Sequence, residues 1–182
     1  YTAPDGTCYV TSFFEEQGHC LAAYRDGKQI APDRKTKDVG TAIAANSQHV
    51  FAADHEKKSA GFYRLDKNLW SGRKHVRVSA EATGDEKVRG LAATDQEVFV
   101  SNRADDRIEV YDAESLEVKR QFRFTRPGPL ALDGKGGLWV VREGFEERTY
   151  EYLRGPYPHE AEIVRLNTQS GNVERIFKGP KV

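Results

Sequence analysis

Short apolar runs separated by polar turns occupy most of the chain, and the same four-part arrangement occurs four times. The run that anchors each copy reads CYVTS from Cys8, VFAAD from Val50, VFVSN from Val98 and LWVVR from Leu138. A short strand of small residues precedes the anchor, and an alternating strand that ends in a polar turn residue follows it. Successive anchors lie roughly 40 to 50 residues apart, which is the period of a four-stranded propeller blade.

The repeated pattern predicts an all-β fold, a β-propeller with about four blades of four antiparallel strands. The expected blades are 1–38, whose first strand is truncated, 39–87, 88–126, and 127–182 with a long loop insertion at 142–160. No window shows convincing helical periodicity. A β-sandwich with regularly spaced hairpins is the alternative, but a sandwich does not require the same four-part pattern in register.

Two stretches resemble a known family of propellers. The segment VSNRADDRIEVYDAESLEV from Val100 is similar to the NHL repeat, and LALDGKGGLW from Leu130 is similar to a turn of the same group, which includes the gluconolactonase/regucalcin and streptogramin-lyase propellers. The resemblance implies six or seven blades, more than the four found here. We therefore expect a segment of a larger six- to eight-bladed ring, or a half-ring that a second chain completes.

Composition narrows the classes of function and of partner. The 182 residues carry 28 basic and 28 acidic side chains, so bulk charge indicates neither nucleic acid nor an anionic membrane as a partner. No apolar run approaches the roughly 20 residues that a membrane span requires. The sequence contains no methionine, so we expect a chain that is processed or cut from a longer one, and a secreted or periplasmic location.

The two cysteines, Cys8 and Cys20, do not have metal-site spacing. They are interpreted either as a disulfide or as two buried thiols. If residues 15–18 form a hairpin turn, Cys20 should face a residue near Phe13 rather than Cys8.

The residues that close the second strand of each blade are predicted to ring one mouth of the channel. Ser12, Asp54, Asn102 and Arg142 hold these positions, and Arg103 follows Asn102 directly. Asp54, Asn102, Arg103 and Arg142 are therefore candidate ligand-binding residues. Because arginine offers a bidentate fork, this mixture favours an anionic or carbohydrate-like ligand.

The long loop at 142–160 adds further candidates. It contains Tyr150, Tyr152, Arg154 and Tyr157, the residue types that recognition surfaces favour. The alternative interpretation is a flap that packs over its own blade or a neighbouring one.

Family resemblance also suggests a metal site and a catalytic pair. The gluconolactonase resemblance implies a divalent cation such as calcium, for which Asp54 and Asn102 are possible ligands, although Arg103 and Arg142 would oppose it. The streptogramin-lyase resemblance implies a His and a Glu, and His55 with Glu143 is the pair that fits. The leading hypothesis is a non-enzymatic binding module or scaffold that recognises a protein partner or a glycan through its loops. The alternative is a lyase or lactonase-type hydrolase with a divalent cation.

Overall fold

The computed structural model is built from β-strands, and no helix occurs in the part of the chain that it describes. The described residues are 1–3, 5–14, 18–35, 39–54, 60–67, 73–79, 88–142 and 162–178, with the backbone alone at 12–14, 18–20, 32–35, 39, 41 and 60. Among these residues there is consequently no helix that could cross a membrane.

The strands form four antiparallel sheets in chain order, and each sheet is one blade of a β-propeller. Blade 1 contains β1 (Cys8–Phe14), β2 (Gly18–Arg25) and β3 (Lys28–Lys35), and its innermost strand is reduced to a bridge between Thr2 and Cys8. Blade 2 contains β4 (Val39–Ala45), β5 (His49–Asp54), β6 (Ala60–Asp66) and β7 (Lys74–Ser79). Blade 3 contains β8 (Val88–Ala93), β9 (Glu97–Asn102), β10 (Arg107–Asp112) and β11 (Val118–Arg123). Blade 4 contains β12 (Pro127–Leu132), β13 (Gly137–Arg142), β14 (Glu162–Asn167) and β15 (Val173–Lys178).

The prediction of an all-β propeller fold is thereby confirmed. The innermost strands β4, β8 and β12 lie side by side, and they make the most extensive contacts between blades. Within the described ranges, no contact of similar extent joins blade 4 to blade 1. The four blades therefore form an open arc.

Alternation along each second strand explains how neighbouring blades adhere. Successive side chains of a strand point to opposite faces, so each blade presents one apolar set to the blade before it and another to the blade after it. In β9, Val98 and Val100 pack in the cluster shared with blade 2, whereas Phe99 packs in the cluster shared with blade 4. Each of the three junctions thus has its own hydrophobic core.

The second strands of blades 1, 2 and 3 each carry an aromatic residue at the same position. Tyr9, Phe51 and Phe99 all face the following blade, and their exposed fractions are 2%, 0% and 1%. An aromatic ring buries more apolar surface than any aliphatic side chain. These three positions therefore contribute a large share of the apolar contact at the junctions.

The strand register separates the two cysteines. Cys8 lies opposite Tyr24, whereas Cys20 lies opposite Ser12, next to the position expected from the sequence. Cys8 is a free thiol. The alternative of a disulfide between Cys8 and Cys20 is therefore wrong.

The turn between third and fourth strands is built in the same way in blades 3 and 4. Asp112 and Asn167 each accept hydrogen bonds from two backbone N–H groups of the turn that follows. The turn then needs a residue with positive φ, which is Leu116 (φ 63°) in blade 3 and Gly171 (φ 71°) in blade 4. Phe122 of blade 3 lies directly over Gly171, so a Cβ there would clash with the Phe122 ring.

We expect Gly171→Ala to lower the free energy of unfolding by about 2–3 kcal/mol, because it combines an unfavourable φ with a clash against Phe122. Gly134→Ala is the matched control, since Gly134 also has positive φ (68°) but has open space where its Cβ would lie. The control should cost only about 1 kcal/mol. Urea denaturation of both variants measures the difference, and equal losses would show that the Phe122 contact is unimportant.

Arg120 joins blade 3 to blade 4 through a second set of contacts. Its guanidinium holds both oxygens of Glu97 at 2.6 and 2.8 Å and donates to the backbone oxygen of Thr168 in blade 4 at 2.7 Å. Lys119 lies 2.9 Å from the same carboxylate. Arg120, and Lys119 to a lesser extent, lower the pKa of Glu97 to about 2.

This pKa predicts a loss of stability in acid. Because the pKa of Glu97 is lower in the folded protein than the roughly 4.3 of an unfolded chain, its contribution is complete above about pH 5 and disappears as the pH falls towards 2. Glu97→Gln should therefore reduce the fall in unfolding free energy between pH 6 and pH 3 by about 1–2 kcal/mol. Glu117→Gln is the control, because Glu117 is an exposed carboxylate nearby. If the unfolding free energy of both variants falls by the same amount between pH 6 and pH 3, Glu97 is not the source of the acid sensitivity.

Candidate functional site

Three of the predicted site residues occupy equivalent positions at one edge of the arc. Asp54, Asn102 and Arg142 are the last residues of β5, β9 and β13, and each pairs with the first residue of the innermost strand of its blade. We call the edge formed by these three residues and the turn 103–106 the loop edge. Ser12 lies near the end of the equivalent strand β1, where the backbone alone is described.

Asp54 is held by the outermost strand of its own blade. Its buried carboxylate lies 2.9 Å from Nε2 of His75, whose ring packs on Tyr63 at 4.7 Å between centroids. His75 reaches Asp54 by crossing Gly61, where a Cβ would lie 2.7 Å from Nε2. Gly61 is therefore required by the pair, because a side chain there would meet the His75 ring.

Asn102 belongs to a buried polar network in blade 3. Its amide nitrogen donates to Asp105 at 2.8 Å and to Glu109 at 3.1 Å, and its amide oxygen accepts from the backbone N–H of Asp105 at 3.2 Å. Glu109 is 3% exposed and also accepts hydrogen bonds from Arg107 and from the hydroxyl of Tyr111. The turn 103–106 is thus fixed to the strand beneath it.

Tyr111 links this network to the junction with blade 2. Its ring packs edge-on against Phe62 of blade 2 at 5.2 Å between centroids. Burial, together with the hydrogen bond to Glu109, raises the pKa of Tyr111 well above its ordinary value. The hydroxyl therefore stays protonated and acts as a donor to Glu109 at any physiological pH.

The two predicted arginines differ in their surroundings. Arg142 pairs with Glu162 on the neighbouring strand at 2.6 Å, and its guanidinium lies 4.9 Å from the centroid of the Phe124 ring. Arg103 is half-buried in the turn that follows β9. Asp54, Asn102 and Arg142 thus share an edge, and each has a polar partner in its own blade, while Arg142 also contacts Phe124 of blade 3.

An open groove of about 540 Å³ lies beside the turn 103–106, between that turn and the outer strand β11. We call it the blade-3 groove; its lining residues are Ala104, Asp105, Asp106, Arg107, Gln121, Phe122 and Arg123. Arg107 and Arg123 are direct cross-strand partners, so their side chains leave neighbouring strands on the same face, and both residues line the groove. Arg107 is paired with Asp105 and Glu109, whereas exposed Arg123 has no ion pair within the described part of the chain.

Like charges directly opposite each other destabilise a sheet unless an anion compensates them. Glu109 and Asp105 compensate one of the two arginines. The second guanidinium is available to an external carboxylate, which it can hold through two parallel hydrogen bonds.

The remaining predicted candidates lie outside the described residues. They are His55, Glu143, Tyr150, Tyr152, Arg154 and Tyr157. Among the residues that the structure does describe, no group of three or more His, Cys, Asp or Glu side chains could hold a metal ion.

Sequence reasoning missed Glu109, His75 and Arg123. The sequence does contain a sign of Glu109, because it is a carboxylate in the middle of an alternating strand. The residues at the same position in blades 2 and 4 are Tyr63 and Val164. His75 and Arg123 lie on outermost strands, which are exposed in general, and so no sequence pattern separates them from surface residues.

Comparison with known proteins identifies the fold alone. No family model and no curated protein matches the sequence. Kuenenia stuttgartiensis hydrazine synthase is a structural neighbour with a TM-score of 0.67 and 13% identity, over 97% of this chain and 47% of that one. A chain of the Mitotic Checkpoint Complex has a TM-score of 0.58 and 14% identity, over 97% and 50%. Myxococcus xanthus glutaminyl cyclase has a TM-score of 0.56 and 7% identity, over 96% and 66%.

These neighbours are β-propellers, in agreement with the arc of blades described above. The chain spans between about half and two thirds of their length. At these sequence identities the likeness supports the fold alone, so any function has to be argued from the residues of the candidate site.

Glu109→Ala should lower the free energy of unfolding by about 3 kcal/mol, because it leaves Asn102, Tyr111 and Arg107 without their shared acceptor. Tyr111→Phe removes only one donor to the same carboxylate and should cost about 1 kcal/mol. Thermal and urea unfolding of the two variants tests the ranking. A Glu109→Ala protein as stable as Tyr111→Phe would mean that the network does not hold the turn.

Proposed function

We propose that this chain is a non-enzymatic β-propeller module that binds a protein partner at the loop edge, through a carboxylate-bearing segment seated in the blade-3 groove. The single observation that carries the proposal is the cross-strand pair of Arg107 and Arg123 lining an open groove. Arginine is enriched at the centres of protein interfaces, and its planar fork suits carboxylates.

The rigidity of the surroundings supports this proposal. The groove is bounded on one side by the turn 103–106, which Asn102 and Glu109 hold through buried hydrogen bonds. A preorganised site loses less conformational entropy when a ligand binds. In proteins of many folds, binding residues lie on loops that a rigid scaffold holds in place.

The structural neighbours are compatible with a role in protein interaction. One of them is a chain of the Mitotic Checkpoint Complex, an assembly of proteins. Others, including the glutaminyl cyclase, carry the names of enzymes. The likeness in fold is therefore compatible with a binding protein or with an enzyme, and the blade-3 groove is the reason that we propose a binding protein.

We also propose that the repeat is of the NHL type. The stretch from Arg107 to Asp112, RIEVYD, supports this, since it supplies the complete third strand of blade 3. The hydrolase or lyase alternative depends on His55 and Glu143, which lie outside the described residues, and it stays a prediction.

The test uses fluorescence anisotropy with two labelled peptides, one that alternates Glu and Tyr and one in which Gln replaces each Glu. The acidic peptide should bind and the amide peptide should not. Arg123→Ala should weaken binding about tenfold, which corresponds to losing one charge-assisted pair worth about 1.4 kcal/mol. Raising the salt concentration should weaken binding as well, because the groove is open to solvent.

Lys135→Ala is the matched control, since Lys135 is an exposed cation in the turn between β12 and β13, away from the groove. It should leave the affinity unchanged. Equal losses from Lys135→Ala and Arg123→Ala would indicate unspecific attraction. Binding of a uronic-acid oligosaccharide in place of the acidic peptide would identify a glycan as the ligand and would contradict the proposal.

A further inference from the structure

The blade-3 groove follows the outer edge of one sheet. Three of its lining residues, Gln121, Phe122 and Arg123, are consecutive in β11. Successive side chains of a strand point to opposite faces, and the side chain of Phe122 is buried in the core shared with blade 4. A groove that touches all three residues therefore runs along the backbone of β11 rather than over one face of the sheet.

β11 is the outermost strand of blade 3, and one side of its backbone faces the outside of the arc. The strand order in this sheet is β11-β10-β9-β8, so in the described part of the chain β10 is the only strand that pairs with β11. Blade 3 packs against blade 2 on one side and against blade 4 on the other. The open edge of β11 is therefore a property of the blade itself and does not depend on which blades precede or follow the arc.

The pattern of backbone hydrogen bonds shows which groups of β11 face the open edge. The N–H of Phe124 donates to the backbone oxygen of Asp106 at 2.9 Å. This bond continues the register in which Phe122 lies opposite Ile108. In an antiparallel pair of strands, hydrogen-bonded and non-hydrogen-bonded residue pairs alternate. Phe122 therefore bonds to Ile108, and the residues on either side of Phe122 direct their N–H and C=O groups away from β10.

Gln121 and Arg123 thus combine outward backbone groups with exposed side chains. Both residues are exposed, and their side chains share a face because they are two positions apart in the strand. An extended chain that lies along this edge can pair with the N–H and the C=O of each residue. Its side chain opposite Arg123 would lie beside that guanidinium, since directly opposed residues of two strands share a face.

Charge restricts the kind of chain that this edge can accept. Arg107 lies opposite Arg123, and like charges on neighbouring strands destabilise a sheet, so an added strand with basic residues at this point is disfavoured. The two carboxylates that line the groove already have partners: Asp105 pairs with Arg107, and Asp106 accepts the backbone N–H of Arg126 at 2.7 Å. An added strand that carries carboxylates is therefore the occupant that the edge favours.

An irregularity in β11 limits the length of the pairing. Arg120 lies opposite Val110, but the next residue of β10, Tyr111, lies opposite Val118, so the register shifts at Lys119. Such bulges twist an edge strand and end regular pairing along it. The regular part of the edge is 120–123, which suits a partner segment of about four residues.

We propose that the acidic segment binds by strand addition, extending the sheet of blade 3 along β11 and placing alternate carboxylates on the face of Arg107 and Arg123. Main-chain hydrogen bonds to Gln121 and Arg123 supply affinity, and the two arginines select the sequence. This inference rests on the proposed function, because it takes the same groove and the same acidic ligand. It adds the conformation of the ligand and the backbone groups that hold it.

N-methylated peptides test the backbone contacts on the unaltered protein. The probe is the peptide that alternates Glu and Tyr, prepared with N-methyl groups on all Glu residues or on all Tyr residues. Only every second N–H of an added strand faces the sheet, so one methylated peptide should bind about tenfold more weakly or worse, while the other keeps the affinity of the unmodified peptide. Equal affinities of the two methylated peptides, both retained or both lost, would overturn strand addition.

A proline in β11 tests the same contact from the side of the protein. Gln121→Pro deletes an N–H that points away from β10, and proline is tolerated on an edge strand in this orientation, so the circular dichroism should not change. Affinity for the unmodified acidic peptide should fall about fivefold. Gln121→Ala is the matched control, because it removes the side chain and keeps the N–H. If both variants bind the peptide equally well, the N–H of Gln121 does not hold the ligand and strand addition is wrong.

These measurements separate this inference from the proposed function. If the acidic peptide does not bind, or binds equally well to the Arg123→Ala protein, the proposed function is wrong and strand addition is wrong with it. If the acidic peptide binds and depends on Arg123, but the two methylated peptides bind alike, the proposed function stands and strand addition alone is wrong. A proline variant that does not fold leaves the decision to the methylated peptides, which use the unaltered protein.

Discussion

Each blade of this arc has two apolar faces, and a single sheet cannot bury both of them by itself. The period of two along β9 sends Val98 and Val100 towards blade 2 and Phe99 towards blade 4, so the strand is covered only when both neighbours are present. The same constraint applies to every second strand. The clusters at the three junctions are therefore the source of the arc's stability, and polar contacts such as that of Arg120 with Thr168 add to them.

The candidate site depends on one of these junctions. Tyr111 packs on Phe62 across the junction of blades 2 and 3 and donates to Glu109, which in turn holds Asn102 and Arg107. Through this chain of contacts the blade interface sets the shape of the turn 103–106 and of the groove beside it. Binding chemistry at the loop edge is thus built on the packing that joins the blades.

Much of the fold could be predicted from the sequence, because repetition of a strand pattern is a local property that residues reveal directly. The anchors at Cys8, Val50, Val98 and Leu138 all lie in second strands. The positions of Asp54, Asn102 and Arg142 at strand ends also follow from this pattern. Their bonding does not, because the His75 contact of Asp54 depends on the absence of a side chain at Gly61, which alternation alone does not reveal.

The central claim is that blade faces are buried by neighbouring blades rather than within each blade. Hydrogen–deuterium exchange of this chain tests this directly, since amide protection reports local stability. The account predicts that β9 and β10, which have neighbours on both sides, exchange far more slowly than β2 and β14 at the two ends of the arc. Equal protection of the end blades and of blade 3 would contradict it.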